Sequence, residues 1–204
     1  MRDAKNIAEI AALPIDYMGF IFYKKSARYV DTESSTFLKY TNFEKIQKVG
    51  VFVNENTDNI ISKVVDYQLD VVQLHGNETN DFIKMLRSRG VPLRSPNVIF
   101  KSVPIFEKND FEKIYDYPDA DFLLLDTKTP LHGGSGQKFD WNLLNDIDFP
   151  KPFFLSGGID LDDAETINNL NINNLYGIDV NSRFEIEPAM KDVEKLAQFV
   201  REIT

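Results

Sequence analysis

The chain has 204 residues, of which 43% are hydrophobic and 27% charged, and this composition is typical of one globular domain spanning 1–204. Its 23 Lys and Arg against 32 Asp and Glu give a net charge of −9, which argues against a general nucleic-acid or anionic-membrane surface. With no cysteine and only two histidines, the sequence excludes a disulfide framework, a thiol nucleophile and cysteine-ligated zinc, and it disfavours a histidine-rich metal site.

The first predicted element is an amphipathic helix. Apolar residues recur at helical spacing from Ala4 to Ala11, and Asp3 is a suitable N-cap. A short apolar strand follows, so the sequence begins with a helix that has no strand before it. The N-terminus lacks the apolar core of a signal peptide, and no apolar run approaches the roughly 18 residues of a membrane span, so we expect a cytoplasmic protein without membrane partners.

Seven short apolar, β-branched or aromatic runs are predicted as strands. Several are apolar almost throughout, as expected for strands buried on both faces. They are Met18–Phe22, Val49–Val53, Val71–Leu74, Val98–Ser102, Phe122–Leu125, Phe153–Leu155 and Tyr176–Val180.

Helical patterns lie between the predicted strands. Thr57 and Asn77 are reasonable N-caps, and Gly90 is placed to end a helix. The predicted helices after the first are Ser34–Tyr40, Thr57–Tyr67, Glu78–Arg89, Phe111–Tyr115, Trp141–Leu144, Asp163–Asn169 and Met190–Ile203.

This alternation of strand and helix predicts an α/β fold with a parallel sheet. An open doubly wound sheet accommodates seven strands, whereas a (β/α)₈ TIM barrel requires eight. The barrel is favoured because the unusual loops follow the strands at which such barrels place their sites. Its first strand is then absent from the sequence.

Two loops near the C-terminus have the composition of a phosphate site. If one strand is missing, the loops with "LSGGID" and "GIDVNS" follow strands seven and eight, where TIM barrels often bind phosphate. Gly157 and Gly158 expose backbone N–H groups without a Cβ, and Asn181 and Ser182 are placed to open a short extra helix. A Gly-Gly pair by itself is more often a plain tight turn.

Asp126 ends an apolar strand and is the candidate general acid at the barrel mouth. The commoner role of such an aspartate is to cap a turn. A functional role is favoured because the long segment 127–140 that follows has no periodicity. Its glycines, including Gly134, suit a lid or a backbone clamp.

Two further candidates follow early strands. Arg28 lies in a local basic cluster with Lys24 and Lys25, and its guanidinium is suited to a carboxylate, although most such clusters are solvated surface. His75 follows a buried strand at the same rim, where a turn or capping role is as plausible as substrate contact.

These segments together resemble the phosphoribosylanthranilate isomerase family of tryptophan biosynthesis. The resemblance lies in six collinear stretches: "MGFIFYKKSARYV", "KVGVFVNE", "DVVQLHGNE", "DFLLLDTKTPLHGGSGQKFDW", "LSGGID" and "YGIDVNSRFE".

The resemblance implies a TIM barrel that converts the phosphosugar N-(5-phosphoribosyl)anthranilate to the aminoketose by an Amadori rearrangement, without a metal or organic cofactor. It implies that Asp126 is the general acid, that Arg28 holds the anthranilate carboxylate, and that His75 and Asp179 line the site. Phosphate is assigned to the loops with Gly157, Gly158, Asn181 and Ser182.

The last of these loops departs from the family pattern of two small residues and a glycine. Arg183 stands where the family prefers glycine, and a positive φ there is costly for arginine.

The family pattern begins with a strand ending in Lys-x-Cys-Gly-Met, whose cysteine is the general base. Met1 aligns with the end of that motif, so we expect the first strand and the base to lie upstream of residue 1. The 204-residue chain is therefore expected to be nearly inactive. The exposed edges of the first and last strands are expected to favour a homodimer.

Two alternatives stay open at this point. One is a non-catalytic barrel that binds a phosphate ligand and has lost its base. The other is a different phosphosugar barrel such as the histidine-pathway isomerase, which uses two aspartates, although only Asp126 and Asp179 stand at strand ends here.

Overall fold

A computed structural model describes residues 1–31, 36, 38, 43, 45–90, 98–127 and 138–203. Seven strands form one parallel sheet, in the order of the sequence. The strands are β1 (Tyr17–Ile21), β2 (Gln47–Phe52), β3 (Val71–Leu74), β4 (Val98–Ile105), β5 (Phe122–Thr127), β6 (Phe153–Leu155) and β7 (Leu175–Ile178). All seven predicted strands are thereby confirmed, with shifts of up to three residues at their ends.

Helices connect the strands. The α-helices are α1 (Ala4–Ala11), α2 (Thr57–Tyr67), α3 (Asn80–Ser88), α4 (Ala164–Asn168) and α5 (Val193–Glu202). Single 3₁₀ segments cover Lys108–Asp116, Trp141–Asp146, Leu161–Asp163 and Ser182–Phe184. The helix predicted over Ser34–Tyr40 falls largely on residues outside the described ranges.

Two predicted caps are wrong. The side chain of Asn56, not Thr57, caps α2 by accepting from the Asn59 N–H at 2.9 Å. Thr79, not Asn77, caps α3, since the Glu78 carboxylate turns back to accept from the N–H groups of Asn54 and Gly76. The helix therefore starts after Glu78. Asp3 caps α1 as predicted.

The helix predicted over Met190–Ile203 begins three residues late. Its first residues instead form β9 (Met190–Lys191), which pairs antiparallel with β8 (Glu185–Glu187). The buried side chain of Asn6 on α1 bonds both the N–H and the carbonyl of Lys191, each at 2.8 Å. These backbone bonds hold the segment extended, and α5 starts only at Val193, capped by Asp192.

The sheet is curled around an apolar interior. Across this interior, the Tyr17 ring on β1 packs edge-on against Phe100 of β4 and Phe154 of β6, with centroid distances of 5.6 and 5.5 Å. Such contacts between non-adjacent strands require a closed curvature rather than a flat sheet. The interior is lined by Val49, Val51, Val71, Phe100, Leu124 and Phe154, and a larger apolar layer lies between strands and helices.

The sheet has two edges, at β1 and β7, among the described residues. They are less exposed than the sequence predicts. The Val30 N–H bonds the Ile21 carbonyl at 2.8 Å and covers the upper end of β1, and the amino group of Met1 donates to the Gly19 carbonyl at 3.3 Å. No helix within the described ranges is long and apolar enough to cross a membrane.

Candidate active site

A cavity of about 540 Å³ runs along the inside of the curled sheet, from Asp16 and Tyr17 at the amino end of β1 to the carboxyl ends of the strands. Because parallel strands end at one rim, residues that follow different strands meet there. The candidates that line this cavity are Arg28, His75, Asp126, Gly157, Gly158, Asp179, Asn181 and Ser182. Gly134 lies outside the described residues, so its predicted role stays a prediction.

Asp126 is fixed at the rim by contacts to both carboxylate oxygens. Its Oδ1 accepts from the Thr127 N–H at 2.9 Å, and its Oδ2 lies 3.4 Å from Nε2 of His75. The side chain is 17% exposed, so it reaches the cavity while most of it is shielded from water. A carboxyl held in this way is suited to transfer a proton to a ligand in the cavity.

His75 is oriented by two buried polar side chains. Its Nδ1 lies 2.7 Å from the Ser102 hydroxyl and 3.2 Å from the Gln73 amide nitrogen. Since an amide NH₂ only donates, Nδ1 is the accepting nitrogen and Nε2 carries the proton that faces Asp126. This tautomer of His75 depends on the orientation of the Gln73 amide. The same Gln73 nitrogen also donates to the Ser102 hydroxyl, which is consistent with that orientation.

A buried ion pair holds the loop that carries His75. Lys101 and Glu78 have side chains only 1% and 2% exposed, and their charged groups lie 3.3 Å apart. Lys101 also donates to the Gly76 carbonyl at 2.7 Å, while Glu78 accepts from the Gly76 N–H at 2.9 Å. Both polar groups of Gly76 are thus satisfied by the buried pair, which holds the backbone beside His75 in place.

Asp179 lies beside Asp126 at the end of β7. Burial, reinforced by the charge of Asp126, raises the pKa of Asp179, against the opposing effects of Ser156 and Lys191. The Ser156 hydroxyl donates to its Oδ2 at 3.1 Å. Asp179 therefore keeps its proton to a higher pH than an exposed aspartate does.

The two glycines after β6 form a turn whose N–H groups are available to a ligand. Gly157 and Gly158 have φ values of 95° and 68°, which favour glycine. Among bonds between described residues, the N–H groups of Gly157, Gly158 and Ser182 have no acceptor. Unpaired N–H groups at the ends of neighbouring strands attract an anion such as phosphate.

The last loop is less strained than the sequence predicts. A 3₁₀ turn begins at Ser182, and Arg183 lies inside it. In the described ranges, positive φ at non-glycine residues occurs at Asn54, Gln68, Asn174 and Ala189, so Arg183 does not bear the expected cost. The prediction that this position requires glycine is wrong for this chain, because the turn closes in the right-handed region.

Arg28 differs from the other basic residues of its cluster. Lys24 and Lys25 are exposed, whereas Arg28 is partly buried and faces the cavity. Its Nε and Nη2 donate to the carboxylate of Glu185 at 2.6 to 3.0 Å. The cluster therefore divides into two solvated lysines and one arginine with a fixed orientation.

Sequence reasoning missed four polar residues of this site. Gln73 and Ser102 orient His75, and Glu185 and Lys191 lie behind Arg28. The signal for Gln73 is a polar side chain within the apolar strand "VVQL", since a strand buried on both faces carries such a residue only where it has a partner. The contact of Glu185 with Arg28 spans 157 residues, and no local pattern indicates it.

Comparison with known proteins agrees with this geometry. The family model described as "N-(5'phosphoribosyl)anthranilate (PRA) isomerase" matches residues 1–202. A relative with the name N-(5'-phosphoribosyl)anthranilate isomerase, from Parabacteroides distasonis, is 43% identical over 206 residues, covering 100% of this chain and 90% of the relative.

Solved structures show the same fold. The crystal structure of phosphoribosyl anthranilate isomerase from Thermotoga maritima superposes with a TM-score of 0.86 at 30% identity, covering 100% of this chain and 95% of that one. A second structure of such an isomerase has a TM-score of 0.83 at 26% identity, covering 100% of this chain and 94% of that one. It is a complex with reduced 1-(o-carboxyphenylamino)-1-deoxyribulose 5-phosphate. The seven-stranded curled sheet, the rim cavity and the family match together establish that the chain belongs to the phosphoribosylanthranilate isomerases, TIM-barrel enzymes of tryptophan biosynthesis.

Proposed function

We propose that this chain binds N-(5-phosphoribosyl)anthranilate across the cavity and isomerises it to 1-(2-carboxyphenylamino)-1-deoxyribulose 5-phosphate. The observation that carries the proposal is that groups for three chemical tasks line one cavity. Arg28 is a cation for the carboxylate, Asp126 is a proton donor, and the turn at Gly157 and Gly158 offers N–H groups for the phosphate. The ligand of the related complex carries the same carboxylate and phosphate.

The residues divide the reaction between them. Asp126 protonates the ring oxygen of the ribose, the bond from that oxygen to C1 breaks, and the anilino nitrogen supplies electrons to form a Schiff base. Loss of the C2 proton then gives an enolamine, which tautomerises to the ketone. In this scheme His75 orients Asp126 and Asp179 lines the site, while Asn181 and Ser182 complete the phosphate loop.

Activity depends on the removal of the C2 proton, and this step needs a general base. The resemblance assigns it to a cysteine, and the 204 residues contain none. A positioned general base contributes about 10²–10⁴ in rate. We therefore expect the 204-residue polypeptide to turn over slowly while it still binds ligand.

Two polypeptides test this expectation. One is the 204-residue chain, and the other, termed the extended chain, carries a strand ending in Lys-x-Cys-Gly ahead of Met1. Loss of substrate fluorescence should be about 10²–10⁴ times faster in the extended chain. The same extension with serine in place of cysteine is the control. Equal turnover in all three would contradict the role given to the cysteine.

A non-catalytic phosphate-binding barrel is the alternative that must be distinguished from the isomerase. It predicts that the 204-residue chain binds the reduced product analogue by calorimetry while its turnover does not exceed the uncatalysed rate. Turnover of the 204-residue chain above that rate excludes it. The cytoplasmic location predicted from the sequence stays a prediction.

A homodimer through the edges of β1 and β7 is the proposed assembly. Edge strands recruit other strands through backbone groups that the sheet leaves unpaired, and among the described residues β1 and β7 each pair with one neighbouring strand in the sheet. On β1 the carbonyls of Gly19 and Ile21 already accept from Met1 and Val30, so a second chain would have to displace these bonds or pair with the remaining edge groups. Light scattering should give twice the chain mass, and Gly19→Pro on β1 should shift the population toward monomer. A monomer at high concentration would contradict the proposal.

A further inference from the structure

Glu185 is a buried carboxylate to which the reaction scheme assigns no role. It lies on β8 and its side chain is only 4% exposed. Burial alone would raise the pKa of Glu185, but the hydrogen bond from Arg28 and the charge of Lys191 outweigh it and hold that pKa below its usual value. The chain therefore maintains an ionised carboxylate behind the substrate cavity.

The contact between Glu185 and Arg28 uses one specific edge of the guanidinium. Nε donates to Oε1 and Oε2 at 3.0 and 2.8 Å, and Nη2 donates to Oε2 at 2.6 Å. Nη1 has no acceptor among the described residues, and Arg28 lines the cavity. A guanidinium carries five N–H donors in a rigid plane, so fixing the Nε edge also fixes where the Nη1 edge points.

Glu185 is itself held from two sides. Lys191 donates to Oε1 at 3.3 Å, and so does the Ala189 N–H at 3.3 Å. Lys191 also donates to the carbonyl and the side-chain oxygen of Asn181, at 3.0 and 2.7 Å. Arg28 is thus connected, through Glu185 and Lys191, to the loop assigned to the phosphate.

We propose that Glu185 is a positioning residue, which holds the guanidinium of Arg28 so that its Nη1 edge receives the carboxylate of the substrate. The inference rests on the proposed function and deepens it: this site selects an arylamine that carries an ortho carboxylate over the same arylamine without one. Arginine alone has many rotamers, and ordering it beforehand removes an entropy cost that the ligand would otherwise bear.

The test is a calorimetric comparison of two ligands on the 204-residue chain. They are reduced 1-(o-carboxyphenylamino)-1-deoxyribulose 5-phosphate and the same compound without the carboxyl group. Binding does not need the general base, so the comparison is independent of turnover. In the unsubstituted chain the carboxylate is expected to improve affinity at least about tenfold, in the range of a charge-assisted hydrogen bond.

Glu185→Gln should reduce this preference to less than about threefold, since a neutral amide no longer fixes the charged fork. Binding of the carboxyl-free ligand should change little. Glu187→Gln is the matched control, because Glu187 is an exposed carboxylate on the same strand, and it should bind both ligands as the unsubstituted chain does.

Glu185→Asp covers the case in which the glutamine variant does not fold. It keeps the negative charge between Arg28 and Lys191, but it is one methylene too short to reach Nε and Nη2 together. We expect a folded protein that has lost most of the preference for the carboxylate.

Three results would overturn the inference. A preference that is unchanged in Glu185→Asp would do so. Tighter binding of the carboxylated ligand to Glu185→Gln would mean that Glu185 only neutralises Arg28. If the unsubstituted chain binds neither ligand, the proposed function fails, and this inference fails with it.

Discussion

Nε2 of His75 lies 3.4 Å from Oδ2 of Asp126, while Oδ1 of Asp126 accepts from the Thr127 N–H. The distance is long for a hydrogen bond, as is common before a ligand tightens a site. Because Gln73 and Ser102 hold the other side of the imidazole, the ring cannot turn away from Asp126 without losing two hydrogen bonds to buried side chains. His75 is therefore placed to select the rotamer of the candidate acid.

His75→Ala in the extended chain is expected to lower kcat by about tenfold with little change in KM, because Asp126 loses one of its two fixed contacts. Steady-state kinetics measure both constants. Tyr115→Phe is a suitable control, since that hydroxyl bonds the Asp148 carbonyl on the exposed surface. A rise in KM with kcat unchanged would indicate substrate binding by His75 instead of orientation of Asp126.

Asp126→Asn in the extended chain is expected to lower kcat by about 10²–10⁴, because the amide cannot transfer a proton to the ring oxygen. Affinity for the reduced product analogue should stay within a few-fold. The control is Asp146→Asn, which removes an exposed carboxylate that pairs with Lys108. Retained turnover in Asp126→Asn would move the general acid to another residue, with Asp179 the first to examine.

Gly157→Ala is expected to lower the free energy of unfolding by more than the backbone strain of a positive φ alone would cost. A Cβ at Gly157 would lie 2.5 Å from the Thr127 nitrogen, next to Asp126. Gly90→Ala is a matched control, since its φ of 66° is also positive but nothing lies within 4 Å of its Cβ. Denaturant unfolding should show about 1–2 kcal/mol lost in Gly90→Ala, the cost of a left-handed alanine. The loss in Gly157→Ala should be clearly larger, together with weaker binding of inorganic phosphate. Equal losses of stability in the two variants would contradict the close approach of a Gly157 Cβ to Thr127.

Asp179→Asn is expected to stabilise the protein increasingly as the pH rises. The pKa of Asp179 is raised by burial and by Asp126, so the folded state binds its proton more tightly than the unfolded state does. Stability from this proton is complete below the unfolded value near 3.8 and is lost as the pH rises through the folded pKa. Asparagine does not ionise, so the variant avoids this loss.

Asp160→Asn provides a control of opposite sign. Burial alone would raise the pKa of Asp160, but hydrogen bonds from Lys195 and the Leu161 N–H lower it. Its ionised form therefore contributes stability above the unfolded pKa, which is lost as the pH falls through the folded pKa. Denaturant unfolding from pH 2 to pH 8 should show that, as the pH rises, Asp179→Asn gains and Asp160→Asn loses stability relative to the unsubstituted chain. If stability changed with pH in the same way in both variants, the opposite pKa shifts of Asp179 and Asp160 would be contradicted.

The local sequence determined the strands, the helix α1 and the parallel order of the sheet. Short apolar runs such as "FLLL" between helical patterns predict strands buried on both faces, and Asp3 before a helical pattern caps its helix through contacts three residues away. The rim position of Asp126, His75 and the paired glycines follows from the same order, since Asp126 lies at the end of β5, His75 follows β3 and the glycines come shortly after β6. These features depend on near neighbours, which is why the sequence predicts them.

Only the tertiary structure decided the segments whose partners are distant in the chain. Asn6 holds Lys191 in an extended strand in place of the predicted helix, and Glu185 fixes Arg28 from 157 residues away. Glu78 turns to Asn54, Gly76 and Lys101, which delays the start of α3. In each case a buried polar or charged group must find a partner because desolvation without one is costly, and the fold, not the neighbouring residues, decides which partner is within reach.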